Sequence, residues 1–422
     1  MKILYVSQYF PPEMGAPAAR ASELSQHWVS EGHEVTVLTG FPNHPTGVIP
    51  HEYRDKFNRL VVRERIGRVN LIRTWLFPFP NRRTHERILN YSSFCVSAGL
   101  TGLFVPRPDV VIATSPQLLV GLSGWWLAQC KRVPFVFEVR DLWPESLTAV
   151  GVGGGASSLY QILAKVAGFL YRHSDRVVVV TPAFEEYLIK HWQVPGKKIS
   201  VIENGVDTQM FNPLAGTTLQ REFSIEGKFV VSYVGTMGMA HGLETILQAA
   251  LRLRDTNPEV VFLLLGEGAE KERLMAMARQ CSLPNLRFLE QQPREKIPGY
   301  ICASDVCLVP LKKADVFETV IPSKMLEFMA CGRPVILGVN GQARTILEEA
   351  RAGLAIEPEN SDAMAQAILY LAKNRDTVRE MGMNGRDYVL RRFSRGHTAE
   401  RYICMLERLL EFPERCRTEV AA

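Results

Sequence analysis

The 422-residue chain predicts an α/β protein made of two doubly wound domains with parallel sheets. Three observations carry that prediction. Short runs rich in Val, Ile and Leu recur along the chain. Helix-length segments lie between most of them. A segment at 207–228 separates two such series. Continuous apolar runs suit strands buried on both faces, as in a parallel sheet. Alternation with helices argues βαβ units. Such sheets bind ligands outside the carboxyl ends of their strands, at a topological switch point. With two such domains, the expected site is the cleft between them.

In the first half the strand candidates are KILYVS (2–7), HEVTVLT (33–39), DVVIAT (109–114), FVFEV (135–139), RVVVVT (176–181) and ISVIE (199–203). Helix-length segments fall at 17–31, 117–131, 157–172 and 182–191. In the second half the strands read FVVSYVG (229–235), VVFLLLG (260–266), LRFLE (286–290), DVCLVPL (305–311), PVILGV (334–339) and GLAIEP (353–358). Helices are expected near 242–254, 269–280, 323–331, 361–373 and 376–392, with a last one at 397–411 after the Phe393-Ser394 break.

Apolar residues make up 46% and charged residues 22%, which excludes a largely disordered chain, a coiled coil and a collagen. The formal charge of +5 is too mild to indicate nucleic acid, but it is unevenly placed. Residues 54–107 hold eleven basic and three acidic side chains, interleaved with Trp75, Phe77 and Phe79. The stretch then runs into Ile88–Val105, 18 residues without a charge. That length barely spans a bilayer, and it contains Asn90, two Gly and four Ser/Thr, so it reads as a buried or interfacial helix. The eight cysteines form no C-x-x-C and no zinc-ligand spacing, as for reduced cysteines of a cytosolic protein. The start, Met1-Lys2-Ile3-Leu4-Tyr5-Val6, reads as a strand and lacks the features of a signal peptide.

Four segments carry candidate chemistry. The turn Phe10–Pro17 contains Gly15, which lets the backbone approach a ligand ahead of a helix N-terminus. It is not G-x-G-x-x-G, and no P-loop occurs. The strand 135–139 leads into Arg140-Asp141-Leu142-Trp143-Pro144-Glu145, where Arg140, Asp141 and Glu145 are active-site candidates; the alternative is an Arg140–Asp141 surface pair. Gly235-Thr236-Met237-Gly238-Met239-Ala240-His241-Gly242 precedes a helix whose N-terminus suits phosphate, and Gly266-Glu267-Gly268 ends the next strand in the same manner. In Pro322-Ser323-Lys324-Met325-Leu326-Glu327, Ser323 reads as an N-cap. Lys324 lies in the first turn, where the helix dipole disfavours a cation unless an anion binds there. Glu327 lies on the same helical face. A cation for phosphates beside a carboxylate for hydroxyls suits a sugar nucleotide; the alternative is a plain i, i+3 ion pair.

Taken together, these segments resemble glycosyltransferase family 4, the group 1 glycosyltransferases with the GT-B fold, over about residues 1–411. Seven pieces stand in family order: FPPEMGAPAARASELSQHWVSEGHEVTVLT, VIENGVDTQMFNP, YVGTMGMAHGLETIL, LLLGEGAEKERL, PSKMLEFMACGRPVI, GLAIEPENSDAMAQAI and GRDYVLRRFS. EVRDLWPES and PSKMLEFMA look like the branch of O-antigen, capsule and colanic-acid assembly that includes fucosaminyltransferase-like members. The resemblance implies an acceptor-side domain at 1–207, a donor domain at 208–393, and a C-terminal segment at 394–422 returning to the first domain. It implies retaining transfer from a nucleotide sugar, UDP-linked by default, without a metal or other cofactor; no D-x-D occurs in the chain.

By the same resemblance, Glu327 matches the last Glu of the family's E-x7-E motif and is expected on the donor ribose. Gly15, with Gly235 and Gly266 at the strand ends, would approach the donor, and the backbone at Leu289 and Glu290 would lie near the base. The first Glu of the motif falls at Thr319, and Glu318 is one residue off register. The family's diphosphate-clamping Arg and Lys fall at Thr236 and His241, so Lys324 is expected to supply the missing charge, joined by His241 when protonated. The acceptor implied is a glycan on a polyprenyl diphosphate. The basic residues and embedded aromatics of 54–107 suit an anionic membrane surface, so the protein is expected to be peripheral on the inner face of the cytoplasmic membrane; the alternative is a solvated basic face. Alternatives are a GT-B epimerase or phosphorylase-like enzyme, for which no pyridoxal-binding lysine is identified, and a scaffold that has lost the chemistry. Nucleic acid is not expected as a partner.

Overall fold

A computed structural model describes the chain except for residues 14, 45, 81–82, 147–156, 214–220, 222, 224 and 412–422. Met14 of the first turn, Arg82 of the basic stretch, part of the 207–228 linker and the end of the 394–422 segment therefore lie outside the described residues. The chain divides into two compact units. One holds residues 1–203 together with 396 onward, and the other holds 204–395.

The first unit is built on an eight-stranded sheet. In chain order its strands are β1 (Lys2–Val6), β2 (Glu34–Gly40), β3 (Val61–Ile66), β4 (Val69–Thr74), β5 (Val110–Thr114), β6 (Phe135–Val139), β7 (Arg176–Val179) and β8 (Ile199–Val201). The spatial order is β3-β4-β2-β1-β5-β6-β7-β8. Every pairing is parallel except β3 with β4. The order reverses at β1, so the switch point lies between β1 and β5. Both of these apolar runs are buried, as expected for strands covered on both faces.

The β3–β4 hairpin was not anticipated; it sits inside the basic stretch. Gly67, at φ 59°, makes its turn. Edge strand β3 alternates exposed with half-buried residues, and Arg63 and Arg65 take exposed positions. Charge on an edge strand discourages pairing with another chain. Arg73 on β4 is buried instead, with Nε donating to Glu64 Oε2 at 2.9 Å and Nη1 to the Gly40 carbonyl at 3.2 Å. Trp75, Phe77 and Phe79 contact one another edge-on and stacked. Part of the charge in 54–107 therefore serves the fold.

The last helix, Arg395–Glu411, belongs to this unit's core. Ala399, Tyr402, Ile403, Leu406 and Leu409 lie on one face at helical spacing and pack with Tyr5, Leu24, Trp28 and Val178. The Trp28 and Tyr402 rings meet edge-on at 5.1 Å, and Trp28 Nε1 donates to the Ala399 carbonyl at 3.3 Å.

The second unit is a six-stranded parallel sheet: β9 (Phe229–Val234), β10 (Val260–Leu265), β11 (Leu286–Leu289), β12 (Val306–Pro310), β13 (Val335–Gly338) and β14 (Gly353–Ala355). Its order is β11-β10-β9-β12-β13-β14, with the switch point between β9 and β12. Buried apolar clusters cover both faces. The expected strands all occur. Helices Ile297–Cys302, Asp315–Glu318 and Gln342–Ala350 are additional.

Candidate functional site

In the second unit the strand ends at the switch point converge on one group of residues. Gly235 directly follows β9 and Gly266 directly follows β10, both at φ 146°. A Cβ on Gly266 would stand 2.0 Å from the Gly235 carbonyl oxygen, so only glycine permits this approach. The following loops are tied together: Met237 N donates to the Glu267 carbonyl at 2.8 Å, and Glu270 N to the Met237 carbonyl at 3.0 Å. Gly266→Ala should therefore push the two strand ends apart and cost about 1–3 kcal/mol, as overpacking does. Thermal melting of the variant would check this, and an unchanged midpoint would contradict it.

Above these glycines stands the helix Ser323–Ala330. Its N-cap is Pro322, not Ser323 as the sequence suggested, and no side chain caps the first turn. Ser323 is instead the first helical residue, where its hydroxyl is not in the capping position. Lys324 Nζ donates to the Tyr233 hydroxyl at 2.7 Å and lies 4.1 Å from that ring's centre. Tyr233 in turn donates to the Thr236 carbonyl at 2.6 Å. A Cβ on Gly235 would come within 2.8 Å of Lys324 Nζ, so the glycine leaves room for the ammonium. Burial pushes the Lys324 ammonium down to about 7, and the Glu327 carboxylate opposes that shift.

His241 also faces this group, with its ring centre 6.1 Å from that of Tyr233. Burial, reinforced by the Lys324 charge, holds its imidazole well below the ordinary range. The ring is thus neutral at pH 7 and offers a hydrogen bond rather than a second cation. Its Nδ1 is buried without a hydrogen-bond partner. Thr236 is exposed beside it.

Glu327 accepts from Arg294 Nη2 at 3.1 Å, and the Arg294 guanidinium lies 5.1 Å from the Phe211 ring centre. The sequence reading missed both Arg294 and Tyr233. Leu289 sits at the end of β11, and its carbonyl accepts from Gly266 N at 3.4 Å. Glu290 is exposed and lies 3.4 Å from Lys271, which also bonds Glu267. Thr319 ends the short helix Asp315–Glu318, and its hydroxyl donates to the Val316 carbonyl at 2.7 Å. Glu318 is exposed. The structure thus brings Gly235, Gly266, Lys324 and His241 together around Tyr233, with Glu327 one helical turn on.

The first unit holds the other candidates. Gly15 is the N-cap of helix Ala16–Ser30, again without a side-chain cap. Arg20 on that helix is buried and donates to Glu138 Oε1 at 2.8 Å and 3.1 Å, while Tyr5 donates to Glu138 Oε2 at 3.0 Å. Next to this pair, at the carboxyl end of β6, stands Arg140. Burial and the neighbouring Arg20 lower its pKa, and its Nε and Nη1 have no hydrogen-bond partner. Burial pushes the Asp141 carboxyl up to about 6 against the pull of Arg140, which places its titration near neutral pH. Glu145 is turned onto helix Pro182–Trp192, accepting from Tyr187 at 3.1 Å and Trp192 Nε1 at 3.2 Å.

One further constellation was not foreseen. Glu13 is buried and accepts from Asn43 N and His44 N, each at 3.0 Å. Burial raises its carboxyl to about 7. Gln8 donates to Asn90, and Asn90 to Asn43 at 3.1 Å. Residues far apart in sequence thus meet at the carboxyl ends of β1 and β2. Among the described residues, no group of three or more His, Cys, Asp or Glu could hold a metal.

Comparison with known proteins agrees with this arrangement. Residues 217–388 match the family model of glycosyl transferases group 1, and residues 15–205 match that of the glycosyl transferase 4-like domain. WcaI of Escherichia coli K12, a glycosyl transferase named for colanic acid biosynthesis, is 25% identical over 93% of this chain and 98% of its own. Sucrose-phosphate synthase from Thermosynechococcus elongatus superposes with a TM-score of 0.78 at 22% identity, covering 97% of this chain and 99% of that one. Anabaena HepE, solved with UDP-glucose, gives a TM-score of 0.72 at 17% identity, covering 97% and 100%. The chain belongs to the group 1 glycosyltransferases of the family 4 type, and its two parallel-sheet domains have the GT-B fold.

Proposed function

We propose that this glycosyltransferase moves a sugar, with retention, from a UDP-linked donor to a glycan carried on a polyprenyl diphosphate, in bacterial surface-polysaccharide assembly. The observation that carries the donor half is Lys324. It is a lysine held at an uncapped helix start, against a glycine that leaves room for its amino group, with a carboxylate one turn on. A nucleoside diphosphate is the leaving group of such a donor, so catalysis rests chiefly on stabilising developing phosphate charge. Lys324 and the first turns of the flanking helices serve that end. Glu327 takes the ribose hydroxyls, and the glycine turns at 235 and 266 admit the donor. The UDP-glucose in HepE and the colanic-acid role named for WcaI support the donor class and the setting.

In the first unit Asp141 is the group proposed to hold the acceptor hydroxyl, with Arg140 beside it. Glu145 positions the loop. In this reading the hydroxyl attacks the anomeric carbon on the face the leaving group departs from. The new glycosidic bond forms as the bond to phosphate breaks, and the leaving phosphate accepts the hydroxyl proton. No metal or other cofactor is required in this scheme. The protein works at the cytoplasmic face of the inner membrane; no helix among the described residues is long and apolar enough to cross one.

The test incubates purified protein with UDP- and GDP-sugars and a polyprenyl-diphosphate glycan extract, following nucleotide release and the anomeric configuration of the product. Release with a UDP-sugar, an unchanged anomeric configuration and insensitivity to a chelator are expected. Release confined to GDP-sugars, or an inverted product, would overturn the corresponding part.

A further inference from the structure

We propose that the outward face of helix Thr84–Gly102, continued to Phe104 and bordered by Trp126, is a docking surface for an anionic lipid monolayer. The proposal deepens the lipid-linked acceptor reading and rests on it for its purpose. It moves the contact from the basic stretch as a whole to one helix face. Leu89, Val96, Leu100, Leu103 and Phe104 recur at helical spacing and are all exposed: Val96 is 62%, Leu100 59% and Phe104 80% accessible. The opposite face, Asn90, Phe94, Ala98 and Gly102, is buried. Gly102 lets the helix press against Leu127 of the neighbouring helix Val120–Lys131, and Trp126 of that helix emerges beside Gly99, 47% accessible.

Charge decides the occupant. From 87 to 108 only Arg87 and Arg107 are charged. Exposed Arg83 stands with Arg87 at one end of the stripe. At the other end Lys131 Nζ bonds the Leu103 and Val105 carbonyls, with Arg107 and Arg132 adjacent. A helix of this length runs about 28 Å. An apolar stripe with an aromatic at its border and cations at both ends matches a helix lying in the plane of an anionic interface. Glu86, among the cations at the first end, accepts from Arg83 N at 3.2 Å, and no acid lies from 87 to 108; a protein partner of the usual kind gives no reason for cations at both ends of so long an acid-free stripe.

Flotation with vesicles tests this. Wild type is expected to float with vesicles containing phosphatidylglycerol at low salt, and less with pure phosphatidylcholine. Leu100→Glu with Phe104→Glu should lower the partition by about tenfold or more, with an unchanged melting temperature and unchanged turnover of a short, water-soluble acceptor. Equal flotation of wild type and variant, or none for wild type, would overturn the proposal. So would a lipid-free dimer that the double variant converts to monomer, since a second copy would then cover the face. Flotation is read without turnover, so absence of transfer to any acceptor counts against the proposed reaction alone.

Discussion

Lys324→Ala is expected to weaken nucleotide-sugar binding by about 10- to 100-fold, the equivalent of losing one charge-assisted hydrogen bond of ~1.5–3 kcal/mol. The fold should survive, because burial disfavours the ammonium in the ligand-free protein. The pH dependence gives a second readout. The free site titrates at about 7, against 10.5 for an ordinary lysine. A bound diphosphate favours the charged form, so binding above pH 7 takes up a proton. Donor affinity is therefore full below about pH 7 and falls as pH rises above it, until the raised pKa of the bound state is passed. For stability the sign is opposite. Between about pH 7 and the ordinary lysine range only the unfolded chain holds the proton, so the free protein gains stability as pH rises. The Ala variant should lose both dependences. Calorimetry with a UDP-sugar in buffers of different ionisation enthalpy would count the proton. A pH-flat wild-type affinity would refute the assignment.

Glu327→Ala is expected to lower kcat/KM by about 10²- to 10⁴-fold. Two ribose hydroxyls on one carboxylate are worth ~1.5–3 kcal/mol each as hydrogen bonds to a charged group. Glu327 also receives Arg294, so the substitution costs that bond as well. Arg294→Ala separates the two effects: it should lose less, because it disturbs the carboxylate's position and leaves its charge. Steady-state kinetics against a 2′,3′-dideoxy donor completes the comparison, since the Glu327 variant should no longer distinguish it from the natural donor. A variant that still prefers the ribose donor by the wild-type margin would place the carboxylate elsewhere.

The sheets were legible because parallel strands buried on both faces leave continuous Val/Ile/Leu runs, such as 260–265, that few other structures require. The hairpin 61–74 was not: Arg63, Glu64 and Arg65 put three charges in a row where apolar–polar alternation would mark a strand, and only Gly67 signals the turn. The period of two shows only in the burial, exposed and half-buried in turn. In the candidate site, local pattern found Lys324 and Glu327 but not their partners. Tyr233 lies in the middle of an apolar strand, and Arg294 follows an unremarked loop; only the sheet order brings them to the helix at 323. The Glu13–Asn43–Asn90 network failed for the same reason, since each residue alone is an ordinary loop or helix position. Arg73 shows the converse error, because a sequence assigns a charge no depth.

The helix Arg395–Glu411 has a consequence for the order in which a ribosome can complete this protein. Leu406 and Tyr402 finish the first unit's core, yet they are made after the whole of the second unit. At about 5–20 residues per second, the interval between Glu203 and that helix is roughly 10–40 s. During that time Trp28 lacks the ring it rests on, whereas the second unit is continuous and can close as it emerges. The later half is thus expected to be native first. A released chain ending at residue 395 should show protease resistance beginning near 204 and not at its own N-terminus.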